Sequence, residues 1–157
     1  MTAGYYFWPE KQLPENAKAD KLVVHKAKRS LEFWSEGKLL KTYTISLGKT
    51  PIGDKQFEGD MKTPEGTYTI NERNPNSGYF LNLGVSYPNK TDIEEARKLG
   101  KSPGGLIKIH GLKNGQGHIG KFHRFKDWTH GCIAVTNEEM QELYDQVPNG
   151  TPIEINP

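Results

Sequence analysis

"DWTHGCIAV", residues 127–135, decides how this chain is read. It holds the only cysteine of the 157 residues, with a histidine two places before it and a glycine directly before it. In an extended peptide, residues 130 and 132 point to one side. Gly131 lets the backbone pass close to another group and leaves room beside the thiol. Ile133, Ala134 and Val135 continue as a short apolar run suited to a buried strand. Three readings of Cys132 stand open at this point: a small buried filler, a metal ligand or a nucleophile.

Upstream, "LIKIHGL" (106–112) alternates as a strand would and brings His110 to its end. Between the two stretches runs a glycine-rich loop, "KNGQGHIGKFHRFKD". A nucleophilic cysteine needs a base, a group that orients the base, and donors for the oxyanion. His110 supplies an imidazole, a nearby backbone carbonyl can orient it, and N–H groups around Gly131 and Cys132 can serve the oxyanion. The filler reading leaves the flanking His-Gly unexplained, because a buried apolar thiol gains nothing from it. A zinc reading would draw on His110, His118, His123, His130 and Cys132. Against it, His-x-Cys is tighter than usual ligand spacing and there is no second cysteine. His118 and His123 share their loop with Lys121, Arg124 and Lys126 and read as a solvated cationic rim. His25, in an early strand, is given no role.

The rest of the chain reads as a β-rich domain preceded by an irregular lead-in, residues 1–20, broken by Pro9 and Pro14. The aromatic cluster Tyr5 to Trp8 is the part of that lead-in able to pin it to the body. "KLVVHK" (21–26), "SLEFWS" (30–35) and "KLLKTYTISLG" (38–48) form an antiparallel meander. "GTYTINER" (66–73), "YFLNLGVSY" (79–87) and the closing "GTPIEINP" supply further strands. Two helices are expected. One lies in "TDIEEARKLG", with a capping box at Thr91 and Glu94. The other lies in "TNEEMQELYDQV", capped by Thr136 or Asn137, with Met140, Leu143, Tyr144 and Val147 on one face. The loops 49–65 and 111–128 are expected to wall the site, with Tyr87, Trp128 and Phe125 as apolar surface.

Composition agrees with a soluble domain: 34% hydrophobic and 25% charged residues, with 17 Gly and 10 Pro. A net charge of +2, from 21 basic and 19 acidic residues with no basic run, argues against a nucleic-acid partner. No stretch is long and apolar enough for membrane insertion.

"IHGL" (109–112) followed by "THGCIAV" (129–135) resembles the active-site signature of the L,D-transpeptidase catalytic domain, the YkuD family. "KTPEGTYTI" (62–70) and "VPNGTPIEI" (147–155) resemble two further family segments. "FEGDMKTPEGTY", "SPGG" and "DWTHGCIAVTNEEM" are most similar to the YafK-like branch. The resemblance covers roughly residues 20–157. It implies a mainly β, sandwich-like catalytic domain with a few short helices, placed at 21–157. It implies that Cys132 is the acyl-accepting nucleophile and His110 the general acid/base, oriented by a carbonyl at or near Gly111. Thr129, His130 and Gly131 complete the signature and are assigned to oxyanion stabilisation and substrate positioning. One departure stands out: Ala134 occupies the place where many members carry arginine, and Arg124, Lys126 and Arg73 are the basic residues available to replace it.

The reaction implied is acyl transfer on peptidoglycan stem peptides through a thioester, without metal or cofactor. An amine of a neighbouring stem peptide gives a cross-link, a free D-amino acid gives exchange, and water gives carboxypeptidase or amidase behaviour. A zinc-binding or cell-wall-binding module without turnover is the competing class. A monomer acting in the periplasm or extracellularly is expected. Residues 1–20 show no basic segment followed by an apolar one. The expected routes are therefore a signal already removed or a dedicated secretion system, the latter suiting an antibacterial effector.

Overall fold

Leu31 and Phe33 in one strand and Tyr43 in the next alternate with less buried neighbours, Leu22, Val23 and Val24 form a continuous apolar run, and all six are buried. Burial of these residues lays β1 (Lys21–His25), β2 (Ser30–Ser35) and β3 (Lys38–Thr44) side by side as an antiparallel meander. Glu36 and Gly37 turn β2 into β3 with φ of 51° and 75°, the two-residue geometry whose twist matches the strands it joins. The computed structural model describes residues 3–157; residues 1 and 2 of the expected lead-in lie outside them.

The 12-residue β4 (Gly66–Ser77) links the two halves of the molecule. Its first residues, Gly66 to Thr69, pair with β8 (Pro152–Asn156), which runs parallel to β1. Its remainder pairs with β5 (Phe80–Val85) through two register shifts, at Ile70/Glu72 and Asn74/Ser77. β6 (Lys108–His110) lies antiparallel to β5, and β7 (Ile133–Ala134) lies parallel to β6. The eight strands form one order, β3-β2-β1-β8-β4-β5-β6-β7. The order curls until its ends meet. Ser46, just beyond β3, exchanges backbone hydrogen bonds of 3.0 and 2.9 Å with Ala134 of β7. The mainly β class with few short helices is as the sequence implies. The curled sheet encloses Leu22, Val24, Phe33, Ile45, Leu47, Ile70, Leu83, Ile109 and Ile133, a continuous apolar core.

The helices start where side chains can satisfy their free N–H groups. Asn89, not Thr91, caps α2 (Lys90–Lys98). Its side chain accepts from Asp92 N, and the Asp92 carboxylate accepts from Asn89 N. The expected Thr91–Glu94 box has the right spacing two residues too late, because Asn89 closes the reciprocal pair first. Thr136 caps α3 (Asn137–Gln146) in a box with Glu139, and Met140 and Leu143 are buried against the sheet. The lead-in holds a short helix, α1 (Ala3–Phe7), laid on a 3-10 segment, Gly117–Phe125. The Tyr6 ring lies 5.1 Å from that of Phe122, and its hydroxyl donates to the His118 carbonyl. Further along, Leu13 is buried and its N–H donates to Glu142 Oε2 at 2.9 Å. No helix among the described residues is long and apolar enough to cross a membrane.

Candidate active site

β6 and β7 are only three and two residues long, so local propensity does not define them. They form because Ile109 and Ile133 are fully buried partners, and the parallel register then sets His110 beside Ala134. Cys132 lies one residue before β7. Both His110 and Cys132 open onto one cleft of about 530 Å³, whose other walls include Met61, Tyr79, Asn82, Leu106, Lys108, Trp128 and His130.

The segment around Cys132 demands glycine. Gly131 has φ 136°, and a Cβ there would lie 2.8 Å from the Lys62 carbonyl oxygen and 3.2 Å from Ile107 Cδ1. Thr129 is buried and staples the turn: its hydroxyl donates to the Cys132 carbonyl at 2.7 Å and accepts from Gly131 N at 3.1 Å. The Gly131 N–H is therefore engaged within the turn. His130 is exposed on the cleft wall.

His110 is buried, and its Nδ1 lies 2.7 Å from the carbonyl oxygen of Gly111. A carbonyl only accepts, so Nδ1 carries the hydrogen and Nε2 keeps its lone pair. Burial holds the imidazole below its ordinary pKa of 6.5, against the opposing pull of the Gly111 carbonyl, so the ring is neutral near pH 7. Gly111 is fixed in turn. Its N–H donates to Tyr79 O at 3.0 Å, and an added Cβ would meet Asn137 Oδ1 at 2.6 Å. The Tyr79 ring lies against the imidazole with centroids 4.6 Å apart, and Trp128 stands 5.6 Å away.

Cys132 is partly exposed, and its Sγ donates to the Leu106 carbonyl at 3.3 Å. Burial raises the thiol pKa; the Lys108 N–H and the charges of Lys108 and Lys55 act the other way without overcoming it. The resting pair is thus a neutral thiol and a neutral imidazole. Leu106 holds a left-handed φ of 58° while 80% exposed, a strained backbone kept at the lip of the cleft.

Several expectations are corrected here. The loop 111–128 gives the cleft only Trp128; the wall beside the thiol comes from Leu106 and from Gly104 and Gly105, two glycines that the sequence offered only within the phrase "SPGG". Tyr87 is buried with its hydroxyl on Pro103 O, and Phe125 is exposed beside a different cavity. His123 is buried, not a solvated rim residue. None of Arg73, Arg124 and Lys126 lines the cleft. Arg73 binds the Val147 carbonyl at 2.7 Å, and Arg124 binds Glu139 at 3.0 Å. The cations that do line it are Lys55 and Lys108, each paired with a carboxylate. The histidines and Cys132 do not converge as ligands. Among the described residues, the grouping with metal-like spacing is Asp54, Asp92 and Glu95, remote in composition from the cysteine site.

Residues 19–155 match the family model described as YkuD, L,D-transpeptidase catalytic domain. YafK of Escherichia coli (strain K12) is 27% identical over 132 residues, covering 80% of this chain and 46% of the relative. YkuD of Bacillus licheniformis is 30% identical over 134 residues, covering 82% of this chain and 61% of the relative. Both carry the L,D-transpeptidase name provisionally, and the chain spans about half the length of these curated relatives. Among solved structures, the helical cell shape determining protein Pgp2 from Campylobacter jejuni superposes with a TM-score of 0.65 at 25% identity, covering 89% of this chain and 48% of that one. An L,D-transpeptidase from Mycobacterium smegmatis superposes at 0.58 with 18% identity, covering 87% and 58%, a likeness of fold. The family match runs from the strand that opens the meander to the strand that closes it, with the cysteine cleft between, and the chain belongs to the L,D-transpeptidase catalytic-domain family.

Proposed function

We propose that this domain is a cysteine acyltransferase acting on peptidoglycan stem peptides. The observation that carries the reading is the state of His110: buried, neutral, with Nδ1–H held by the Gly111 carbonyl and Nε2 left as a base, in the same cleft as the sole cysteine. As substrate enters, the Cys132 thiol leaves the Leu106 carbonyl and passes its proton to His110 Nε2 while the sulfur attacks the scissile carbonyl. The tetrahedral oxyanion collapses, the C–N bond breaks, and His110 returns the proton to the leaving amine. The acyl group is then a thioester on Cys132. An acceptor amine gives a proton to His110, attacks the thioester and releases the thiol. His130 and the Cys132 N–H are the groups proposed to hold the oxyanion and the peptide; Gly131, whose N–H is engaged by the Thr129 hydroxyl, acts with Thr129 and Gly111 by fixing the turn and the imidazole.

The stem peptide lies outside the cytoplasmic membrane, so the proposed site of action is the periplasm or the cell exterior. Incubation with muropeptides followed by mass spectrometry reads both the bond broken and the acceptor joined. Loss of a terminal D-amino acid with gain of a second stem peptide or a D-amino acid supports transfer. Unchanged muropeptides with folded, thiol-active protein reject this substrate.

A further inference from the structure

His123 is buried at 7% exposure on the 3-10 segment, yet the proposed chemistry gives it nothing to do. Its Nε2 has no hydrogen-bond partner in the protein, an unusual arrangement for a buried polar atom. Its Nδ1, by contrast, is crowded. Trp128 Nε1 donates to it at 3.3 Å, and Ser46 Oγ lies 3.3 Å from it while reaching the His123 carbonyl at 3.1 Å. An indole N–H can only donate, so Nδ1 must be the unprotonated nitrogen and Nε2 carries the stranded hydrogen.

Trp128 is also a partition. One side of it faces the cleft with His110 and Cys132. It also lines a second cavity of about 370 Å³ bounded by Leu112, Ile119, Phe122 and Phe125. The indole therefore has empty space behind it. On the cleft side its ring lies 5.6 Å from His110 and 6.0 Å from Tyr79, closing the aromatic surround that keeps the imidazole out of water. The residue before it is anchored separately: Asp127 binds Arg29 at 2.8 Å and accepts from Leu47 N at 3.0 Å. The bond to His123 is the polar tie on the indole itself.

We propose that His123 is a positioning residue, which holds the Trp128 indole against His110 and so sets the desolvation of the base at the cysteine site. This deepens the acyltransferase reading and rests on it only for its effect on turnover. The pKa of His123 is itself pushed down to about 4 by burial, by Arg124 and by His110, so it keeps this acceptor over the working pH range. The other charged or titratable groups lining the cleft are Lys55, Glu58, Tyr79, Lys108, His130 and Cys132, and the hydrogen-bond partners of His123, Ser46 and Trp128, include none of them.

The test follows the imidazole directly. Histidine-labelled full chain is titrated by NMR as wild type, His123→Leu, His123→Asn and Trp128→Phe, with fold checked by thermal melting. Leu removes the acceptor; Asn offers a side-chain oxygen that can accept from the indole; Phe removes the N–H. The expected result is that His110 titrates below 6.5 in the wild type and with Asn, and moves up toward 6.5 with Leu and with Phe, since a freed ring admits water. On muropeptides, kcat falls about tenfold with Leu, a typical loss for one hydrogen bond, with KM little changed and recovery in Asn. The His123→Leu, Trp128→Phe double variant is no worse than either single one. An unmoved His110 titration in folded Leu or Phe variants overturns the proposal, as does an equal shift with Leu and Asn. Absence of turnover in the wild type itself would instead count against the substrate reading, leaving the titration to decide this one.

Discussion

The two ends of the curled sheet are built on different principles. The β1-β2-β3 end consists of five- to seven-residue strands in antiparallel pairs with one register irregularity, at Phe33/Trp34, joined by a four-residue and a two-residue turn. The β5-β6-β7 end carries the candidate site on strands of six, three and two residues, reached through a bulged β4. The first end is stabilised by what each strand buries. The second is held by remote groups: the Lys62 carbonyl over Gly131, Asn137 over Gly111, and Ser46 on Ala134. The difference teaches that His110 and Cys132 sit on backbone whose shape is imposed from elsewhere in the chain and not by local propensity.

Substitutions can break that contrast or sharpen it. The largest effect is expected from Cys132→Ala, which removes the only thiol and with it all muropeptide turnover, while the melting temperature stays near that of the wild type. Residual product above the uncatalysed background would remove Cys132 from its role. His110→Ala should lower kcat/KM by ~100- to 10,000-fold, the usual worth of general acid–base help.

At the regular end the loss should be one of stability. Phe33 is fully buried in the core, so Phe33→Ala is expected to cost about 3–5 kcal/mol by denaturant titration, with turnover per folded molecule unchanged. Equal damage to kcat would mean that the two ends are more tightly coupled than their construction suggests.

Paired glycines test the comparison on like chemistry. Gly37 has φ 75° with nothing within 4 Å of an added Cβ, so Gly37→Ala should cost about 1–2 kcal/mol from the left-handed backbone alone. Gly131→Ala adds a collision with the Lys62 carbonyl and should cost more, with turnover lost in the molecules that fold. Similar stability losses for both would show that the turn around Cys132 relaxes freely.

The smallest effects concern pH and metal. His110 is held below its ordinary pKa, so its base form persists on acidification, and the acid limb of kcat/KM is expected below pH 6.5. Cys132 is shifted the other way by burial, so its alkylation by iodoacetamide should still be rising at pH 9 instead of levelling near neutrality. A plateau at pH 7 would indicate a resting thiolate–imidazolium pair. EDTA should leave turnover unchanged; loss restored by zinc would return the histidines to the ligand reading.

Sequence by itself placed the strands of the meander, put the start of α3 at Thr136 or Asn137, and singled out His110 and Cys132 as a candidate pair, because their signals are local: strand-forming runs between turns, a capping residue before an apolar face, a short motif. The same locality fixed the neighbourhood of Gly111, Thr129 and Gly131, though not why each is required. Only the tertiary structure decided the rest. That the Leu106 carbonyl accepts a hydrogen bond from the thiol, that Lys55 and Lys108 are the cations of the cleft, and that His123 is buried against Ser46 all depend on chain segments far apart in sequence. No periodicity encodes such meetings; they follow from the curl that brings Ser46 to Ala134, and from an excluded-volume fit in which Gly48 and Gly131 pass where a methyl group would not.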